Sequence, residues 1–310
     1  AQQVAKVRLE DPATYIYTSG TTGEAKAVVL NHHNFTSIIE SSRKRLPLHP
    51  GDQTIIFLPL AHVLQRFTQY RGLTDNAVGW FAASIDELPE TIAVAKPHVM
   101  TAVPRMLEKM RSQIEAEAAA KSTYATNILS WAVQVGRMVN TMHWNDQRVG
   151  WRLLAQQKLA ERIVVSKVRE GLGGNLRMLI CGGAALDPNL AIWFESLGIS
   201  VREGWGLSET TAPVSVNGIN DFRFGTVGQP LDGTEIMVAD DGELLVRGPG
   251  VFQGYLKDPV ATSEVFSEEG FFKTGDIGVI EEGFIRLIGR KKELIVTAGG
   301  KNIAPLPIEQ

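Results

Sequence analysis

Apolar positions along this chain fall into two regimes, and the change comes near Asp221. Before it, short continuous apolar runs alternate with longer stretches of helical spacing. Thr54 to Leu58, His98 to Val103, Arg177 to Cys181 and Ile199 to Glu203 each read as a buried strand, because a strand covered on both faces needs no polar alternation. Residues 14–31 read as a strand, a loop and a strand. Asn34 predicts the cap of a helix over Phe35 to Arg45, and Pro47 with Pro50-Gly51-Asp52 closes that segment as a turn. A helical pattern begins near Met106, after Pro104, and its charged, alanine-rich part from Glu115 to Lys121 reads as a solvated face. Tyr124 to Leu172 contains no proline and predicts one long helical stretch ending at Gly173-Gly174.

After Asp221, short alternating strands punctuated by glycine take over: Glu235 to Ala239, Glu243 to Val246, Gly278 to Ile280 and Phe284 to Leu287. Asp240-Asp241-Gly242 and Glu281-Glu282-Gly283 read as hairpin turns. The expected fold class is therefore α/β: a layered sheet core with flanking helices, followed by a small, mostly antiparallel β unit. The expected domain limits are 1–220 for the core, 221–288 for the β unit and 289–310 for a closing segment. No internal repeat or low-complexity linker interrupts the pattern.

Composition narrows the function classes. The chain has 310 residues, is 44% hydrophobic and 21% charged, and carries a formal net charge of -3, so nothing in it points to nucleic acid. Cys181 is the one cysteine, which excludes an internal disulfide and fits a reducing, cytoplasmic setting. No apolar run approaches the roughly 20 residues that cross a bilayer. The chain lacks an initiator methionine and stops in Pro305-Leu-Pro-Ile-Glu-Gln310, which reads like the start of a further element, so the sequence is expected to be a fragment.

The densest candidate chemistry lies in Tyr17-Thr-Ser-Gly-Thr-Thr-Gly-Glu-Ala-Lys26. Three threonines, a serine and two glycines share one short loop between apolar runs, with a lysine at its end. Glycines let backbone approach a ligand, N–H groups and hydroxyls donate to phosphate oxygens, and Lys26 adds positive charge. The common P-loop needs four residues between its glycines and then Gly-Lys-Ser/Thr; here Gly20 and Gly23 are two residues apart and Lys26 follows alanine. Taken alone, such a cluster is equally a plain turn.

The loop resembles the phosphate-binding signature of the adenylate-forming superfamily of acyl-CoA synthetases, luciferases and adenylation domains, and further segments match that family in the same order. These are Phe57-Leu-Pro-Leu-Ala-His62, Cys181-Gly-Gly-Ala184, Glu203-Gly-Trp-Gly-Leu-Ser-Glu-Thr210, Thr274-Gly-Asp276 and Gly289-Arg-Lys-Lys-Glu-Leu-Ile295, with Lys301 in Gly299-Gly-Lys-Asn-Ile-Ala-Pro305 beyond them. The Phe-Leu-Pro-Leu-Ala-His wording, the Val103-Pro-Arg105 step and the Gly-Gly-Lys-Asn ending are most similar to long-chain fatty acyl-CoA synthetases. The resemblance implies two half-reactions: a fatty carboxylate attacks the α-phosphorus of Mg-ATP to give acyl-AMP and pyrophosphate, and the thiol of coenzyme A then displaces AMP. It implies that a first portion of the large domain precedes Ala1 and that a small mobile lid, which carries a lysine used in adenylation, follows Gln310. The isolated piece is then expected to bind nucleotide weakly and to make acyl-AMP very slowly.

Residue by residue, the resemblance gives Thr18, Ser19, Thr21, Thr22 and Lys26 to the β- and γ-phosphates, with Gly20 and Gly23 supplying backbone freedom. It gives Glu209 to Mg²⁺, a cation that takes few carboxylates beside water and phosphate oxygens, and Thr210 to the α-phosphate. Glu203, Gly204, Trp205 and Gly206 form the adenine segment; Trp205 stands where the family usually has tyrosine, so ring stacking is expected while the tyrosine hydroxyl is lost. Gly182, Gly183 and Ala184 border adenine and the acyl chain. Asp276 is expected on the ribose hydroxyls, with Arg290 near it and Lys292 at the lid hinge. His62 is expected beside the reacting carboxylate. In isolation, Ser208-Glu209-Thr210 reads as a helix N-terminus, Trp205 as core, Thr-Gly-Asp as a β-turn and Arg290 to Lys292 as a solvated basic run. Trp80, Val103 and Met106 are candidate acyl-pocket residues, while Trp131, Trp144 and Trp151 suit either core or pocket. Expected partners are a long-chain fatty acid, ATP and coenzyme A, and the long helical stretch is a candidate for peripheral contact with a membrane surface. A fatty acyl-AMP ligase serving a carrier protein and a non-catalytic nucleotide- or acyl-binding relative stay open as alternatives. Acyl chain length and oligomeric state are not written in the sequence.

Overall fold

A computed structural model describes residues 6–19, 25–293, 295–296 and 302–303. The expectations placed on Gly20, Thr21, Thr22 and Gly23, and on Lys301 and the closing Pro305–Gln310 segment, lie outside the described residues.

In chain order the elements begin with β1 (Pro12–Ser19), β2 (Ala25–Asn31), α1 (His32–Arg43), β3 (Gln53–Ile56), α2 (Val63–Thr74) and β4 (Val78–Phe81). They continue with α3 (Leu88–Ala95), β5 (Val99–Ala102), α4 (Pro104–Lys121), α5 (Thr123–Trp144), α6 (Trp151–Ala160), α7 (Ser166–Gly171), β6 (Met178–Cys181) and α8 (Pro188–Ser196). Then follow β7 (Ser200–Trp205), β8 (Ser215–Val216), β9 (Gln229–Pro230), β10 (Glu235–Val238), β11 (Glu243–Arg247), β12 (Gly254–Tyr255), α9 (Pro259–Glu264), β13 (Phe272–Glu281) and β14 (Phe284–Arg290). These fall into two compact units: one of residues Ala1–Pro47, Leu58–Arg71 and Glu203–Gln310, the other of Leu48–Phe57 and Gly72–Arg202.

The second unit is built on parallel strands in the order β4-β3-β5-β6. Their runs are the continuous apolar segments of the sequence; β5 is buried at all four positions, as parallel strands under helices must be. Asp52 leads into β3 and pairs with Arg177 ahead of β6, Oδ2 to Nη2 at 2.6 Å and Oδ1 to Nη1 at 2.9 Å. The expected helix from Tyr124 to Leu172 is corrected to three. Asn145 closes α5 by donating its N–H to the Thr141 carbonyl, and Asp146 takes a left-handed backbone (φ 52°), a conformation that Asn and Asp tolerate better than most residues. After the break, α6 runs through a π turn (Glu161–Val165) into α7, which stops where predicted, at Gly173 and Gly174. Leu129, Ala132 and Val135 of α5 pack on Ala160 and Val164, with Trp131 partly buried against them. Trp151 stays 74% exposed. No described helix is long and apolar enough to cross a membrane.

The first unit carries two antiparallel sheets. One has the order β1-β2-β12, the other β10-β11-β13-β14. The second is the β unit expected from alternation, and both hairpin turns form as read: the β13–β14 turn places Glu282 (φ 51°) and Gly283 (φ 82°) in the left-handed region that suits strand twist. The start of α1 is corrected from Asn34 to Asn31. Asn31 accepts from the Asn34 N–H (2.8 Å), and Asn34 Oδ1 accepts from the Asn31 N–H (2.9 Å), a reciprocal capping box that satisfies donors at both residues. Asn34 also donates its amide to the carbonyls of Pro249 and Val251.

Candidate functional site

The first unit gathers most of the described candidate residues at two corners. The first corner starts at the phosphate-type loop. Ser19 closes β1 opposite Ala25 in the register of β1 and β2, and Thr18 lies opposite Lys26, with the Thr18 hydroxyl 3.4 Å from the Lys26 carbonyl. Lys26 is thus held at the near end of a regular strand. Its Nζ sits 5.1 Å from the centroid of the Tyr255 ring, within cation–π range. The Tyr255 hydroxyl donates to Glu209 Oε1 at 2.9 Å. The loop lysine and the candidate magnesium ligand therefore meet on one phenol.

Tyr255 reaches that place because β12 pairs with β2, Tyr255 opposite Val28, and because its ring packs edge-on against Phe252 at 4.9 Å. Burial, reinforced by the neighbouring Glu209 carboxylate, pushes its hydroxyl well above the usual phenol range. The phenol is therefore a proton donor throughout the physiological range. Sequence reasoning missed Tyr255: Gly254-Tyr255 has no motif of its own, and its partner lies 46 residues away.

Glu209 sits in a single 3-10 turn, Ser208–Thr210, rather than at the start of a helix. The next two residues, Thr211 (φ 59°) and Ala212 (φ 73°), are both left-handed without being glycine, a conformation costing on the order of 1 kcal/mol or more each. Four hydrogen bonds hold the turn against that strain. The fully buried Thr210 hydroxyl accepts from the Leu207 N–H (2.8 Å) and lies 3.0 Å from the Ala212 carbonyl. The Thr211 hydroxyl donates to the Gly250 carbonyl (2.7 Å), and the Phe252 N–H donates to the Glu209 carbonyl (2.8 Å). Thr210, expected on a phosphate, is here the bolt of the turn. Gly206 has a packing reason of its own: a β-carbon there would stand 1.7 Å from the Ala212 carbonyl oxygen.

The second corner joins Trp205, Asp276 and Arg290. Trp205 ends β7 in a core cluster with Val214, Val227, Leu244, Val246 and Ile285, and 6% of its surface remains exposed. What it presents to the site is its indole N–H, which donates to Asp276 Oδ2 at 2.8 Å. Arg290 Nε binds the other oxygen, Oδ1, at 2.9 Å. Asp276 is 5% exposed; burial pushes its carboxyl above the ordinary value, with Arg290 and the Trp205 N–H opposing that push. The turn before it is anchored too. Buried Glu243 accepts from the Gly275 N–H (2.8 Å) and holds Lys291 Nζ (2.9 Å), while the Thr274 hydroxyl donates to the Leu244 carbonyl (2.7 Å). The run Arg290 to Lys292 is therefore not simply solvated, although Lys292 itself is exposed.

The remaining candidates contribute less side-chain chemistry. The Glu203 carbonyl accepts from the Asn217 N–H, and Gly204 pairs with Val216. His62 is exposed at the start of α2 and accepts from the Leu64 N–H through Nδ1 (3.3 Å). Its segment is tied to β1 by Arg66, which donates to the Thr14 hydroxyl and the Leu60 carbonyl. In the second unit, Gly182 donates its N–H to the Ala102 carbonyl, and Gly183 (φ 88°) and Ala184 are exposed in the turn after β6. That turn stands at the carboxyl end of a parallel strand, where open α/β sheets receive ligands. Val103 caps α4 nearby, and Met106 is buried in its first turn.

Among the described residues no three His, Cys, Asp or Glu side chains cluster as a metal cage. A lone carboxylate such as Glu209 suits Mg²⁺, which keeps several waters and draws other oxygens from phosphates.

The chain was compared with known proteins. The family described as AMP-binding enzyme matches residues 1–256. Long-chain-fatty-acid–CoA ligase FadD15 of Mycobacterium bovis is 42% identical over 314 residues, covering 99% of this chain and 51% of that protein. Long-chain-fatty-acid–CoA ligase 5 of Rattus norvegicus is 34% identical over 320 residues, covering 97% and 45%. The chain thus spans about half the length of the curated relatives it matches. Among solved structures, O-succinylbenzoate coenzyme A synthetase from Bacillus subtilis, in complex with ATP and magnesium ion, matches with a TM-score of 0.71 at 22% identity, over 98% of this chain and 55% of that one, a likeness of fold.

Proposed function

The chain belongs to the AMP-binding enzyme family, and from that membership we propose that it forms the nucleotide-holding part of an AMP-forming ligase that activates a long-chain fatty acid as acyl-AMP and passes the acyl group to coenzyme A. The observation that supports this reading is the meeting of Lys26 and Glu209 on Tyr255, the lysine over its ring and the carboxylate on its hydroxyl. The relatives named as long-chain-fatty-acid–CoA ligases support the substrate class.

The chemistry brings a fatty carboxylate toward a polyphosphate, so negative charge must be neutralised and the attacking oxygen held in line. Lys26 and the threonines at the loop supply positive charge and donors to the phosphate tail. Glu209 would hold Mg²⁺, which when bound supplies charge neutralisation across the phosphate oxygens. Tyr255 fixes one oxygen of the Glu209 carboxylate through its hydroxyl. Thr210 fixes the strained turn that presents Glu209. Asp276, gripped by Trp205 and Arg290, offers acceptors to ribose hydroxyls. His62 would border the reacting carboxylate.

The test is AMP release by the full-length protein supplied with palmitate and Mg-ATP, with and without coenzyme A. The expected result is AMP formation that becomes rapid and sustained when coenzyme A is present. Absence of AMP in both conditions overturns the proposal, and release that requires a carrier protein in place of coenzyme A overturns the acceptor.

A further inference from the structure

Trp205 is packed as a core residue yet aims its single polar atom at a candidate binding group. Its ring is enclosed by Val214, Val227, Leu244 and Ile285, so the indole is fixed in place. Its N–H meets Asp276 Oδ2 at 2.8 Å, and that bond spans 71 residues of sequence. Asp276 is held from its own side as well: its backbone N–H donates to the Thr274 hydroxyl at 3.0 Å. An ionised carboxylate has about four lone-pair positions on two oxygens. The indole takes one on Oδ2, and the Arg290 guanidinium takes one on Oδ1. Among the described residues this accounts for one position on each oxygen, and a carboxylate with a further position on each can accept from two adjacent hydroxyls, as a ribose diol presents. Arg290 is half-exposed and exchangeable with water, whereas Trp205 is not, so Trp205 sets the direction of the carboxylate.

We infer that Trp205 is a positioning residue that orients the Asp276 carboxylate for a ribose diol and thereby sets a preference for ribonucleotides over 2′-deoxyribonucleotides. This rests on the nucleotide reading given above. The desolvation that raises the Asp276 carboxyl agrees with it: a costly buried carboxylate is retained together with a dedicated donor.

A purely structural role for the indole bond would weaken every nucleotide alike, so discrimination is the quantity to measure. Dissociation constants for Mg-ATP and Mg-2′-deoxyATP are compared by calorimetry in the full-length protein carrying Trp205, Trp205→Phe, Trp205→Tyr, Asp276→Asn, or Phe and Asn together. The unsubstituted protein is expected to prefer ATP by about tenfold, the scale of one hydrogen bond to a charged group. Trp205→Phe is expected to reduce that ratio to about twofold, and adding Asp276→Asn is expected to reduce it no further. A ratio unchanged in Trp205→Phe overturns the inference. If the Phe variant does not fold, Trp205→Tyr carries the same test, since a phenol keeps an aromatic ring in that cluster but projects its O–H from a different point than the indole N–H; an unchanged ratio there overturns it equally. Binding of both nucleotides with an unmoved ratio removes this inference alone. Failure of the unsubstituted protein to bind either nucleotide removes the nucleotide reading, and this inference with it.

Discussion

The two corners of the first unit each present a carboxylate, and they hold it in opposite ways. Asp276 is buried, drawn from the middle of a sheet strand, with one oxygen fixed by a core tryptophan. Glu209 is half-buried, stands on a strained three-residue turn, and leans on a phenol that also faces a lysine. Packing sets the first group and leaves it little to rearrange. The second rests on a single described side-chain hydrogen bond, from the Tyr255 hydroxyl. Recognition of a constant part of a ligand suits the first arrangement, and handling of charge that moves during a reaction suits the second.

Substitutions at four positions break or sharpen that contrast. Glu209→Ala should reduce kcat/KM for AMP formation by about a thousandfold, the upper range for removing one electrostatic group at a reacting centre, while the thermal midpoint barely moves; a loss under tenfold would put the two corners on one footing. Gly206→Ala should destabilise the fold by about 2–3 kcal/mol in urea titration, because the clashing atom is backbone and cannot rotate aside. A neutral result would mean that the 206–212 turn relaxes freely.

Asp276→Ala should raise KM for ATP by about tenfold and leave kcat within a few-fold, the pattern of a group that binds ground state and transition state alike. The same residue makes a pH prediction. Burial raises its folded-state carboxyl above the ordinary 3.8, so its favourable contribution is complete below that value and is lost as pH rises through the folded-state value. The melting temperature of the unsubstituted protein should therefore fall relative to Asp276→Asn from pH ~4 upward; a difference independent of pH, or one of the opposite slope, would contradict the assigned burial cost. Tyr255→Phe should have the smallest effect, raising the Mg²⁺ concentration for half-maximal rate by about threefold, the worth of one ordinary hydrogen bond. An effect as large as that of Glu209→Ala would make the phenol more than a support.

Local rules made much of the fold legible. Asp241-Gly242 and Glu282-Gly283 specify their turns because few residues other than glycine accept the backbone angles required, and the apolar run at β5 declares burial on both faces. Competition between neighbouring signals caused the misses. Asn31 and Asn34 are both good helix caps, and only their reciprocal bonding selects Asn31. The break after Trp144 lacks proline and depends on Asp146 adopting a left-handed backbone, which nothing in the helical periodicity requires. At the site, motif resemblance named Glu209, Trp205 and Asp276 but not their connections. The indole N–H to Asp276 and the phenol to Glu209 join residues far apart in sequence, and such pairings appear only once strands are laid side by side.

The pairing of β12 with β2 has a mechanical consequence. Lys26 and Tyr255 ride on adjacent strands of one small sheet, locked by the register of Tyr255 with Val28 and by the Leu256 N–H on the Ala27 carbonyl. Any shift of β2 would therefore reach the Tyr255 phenol, and its hydrogen bond to Glu209, through backbone pairing.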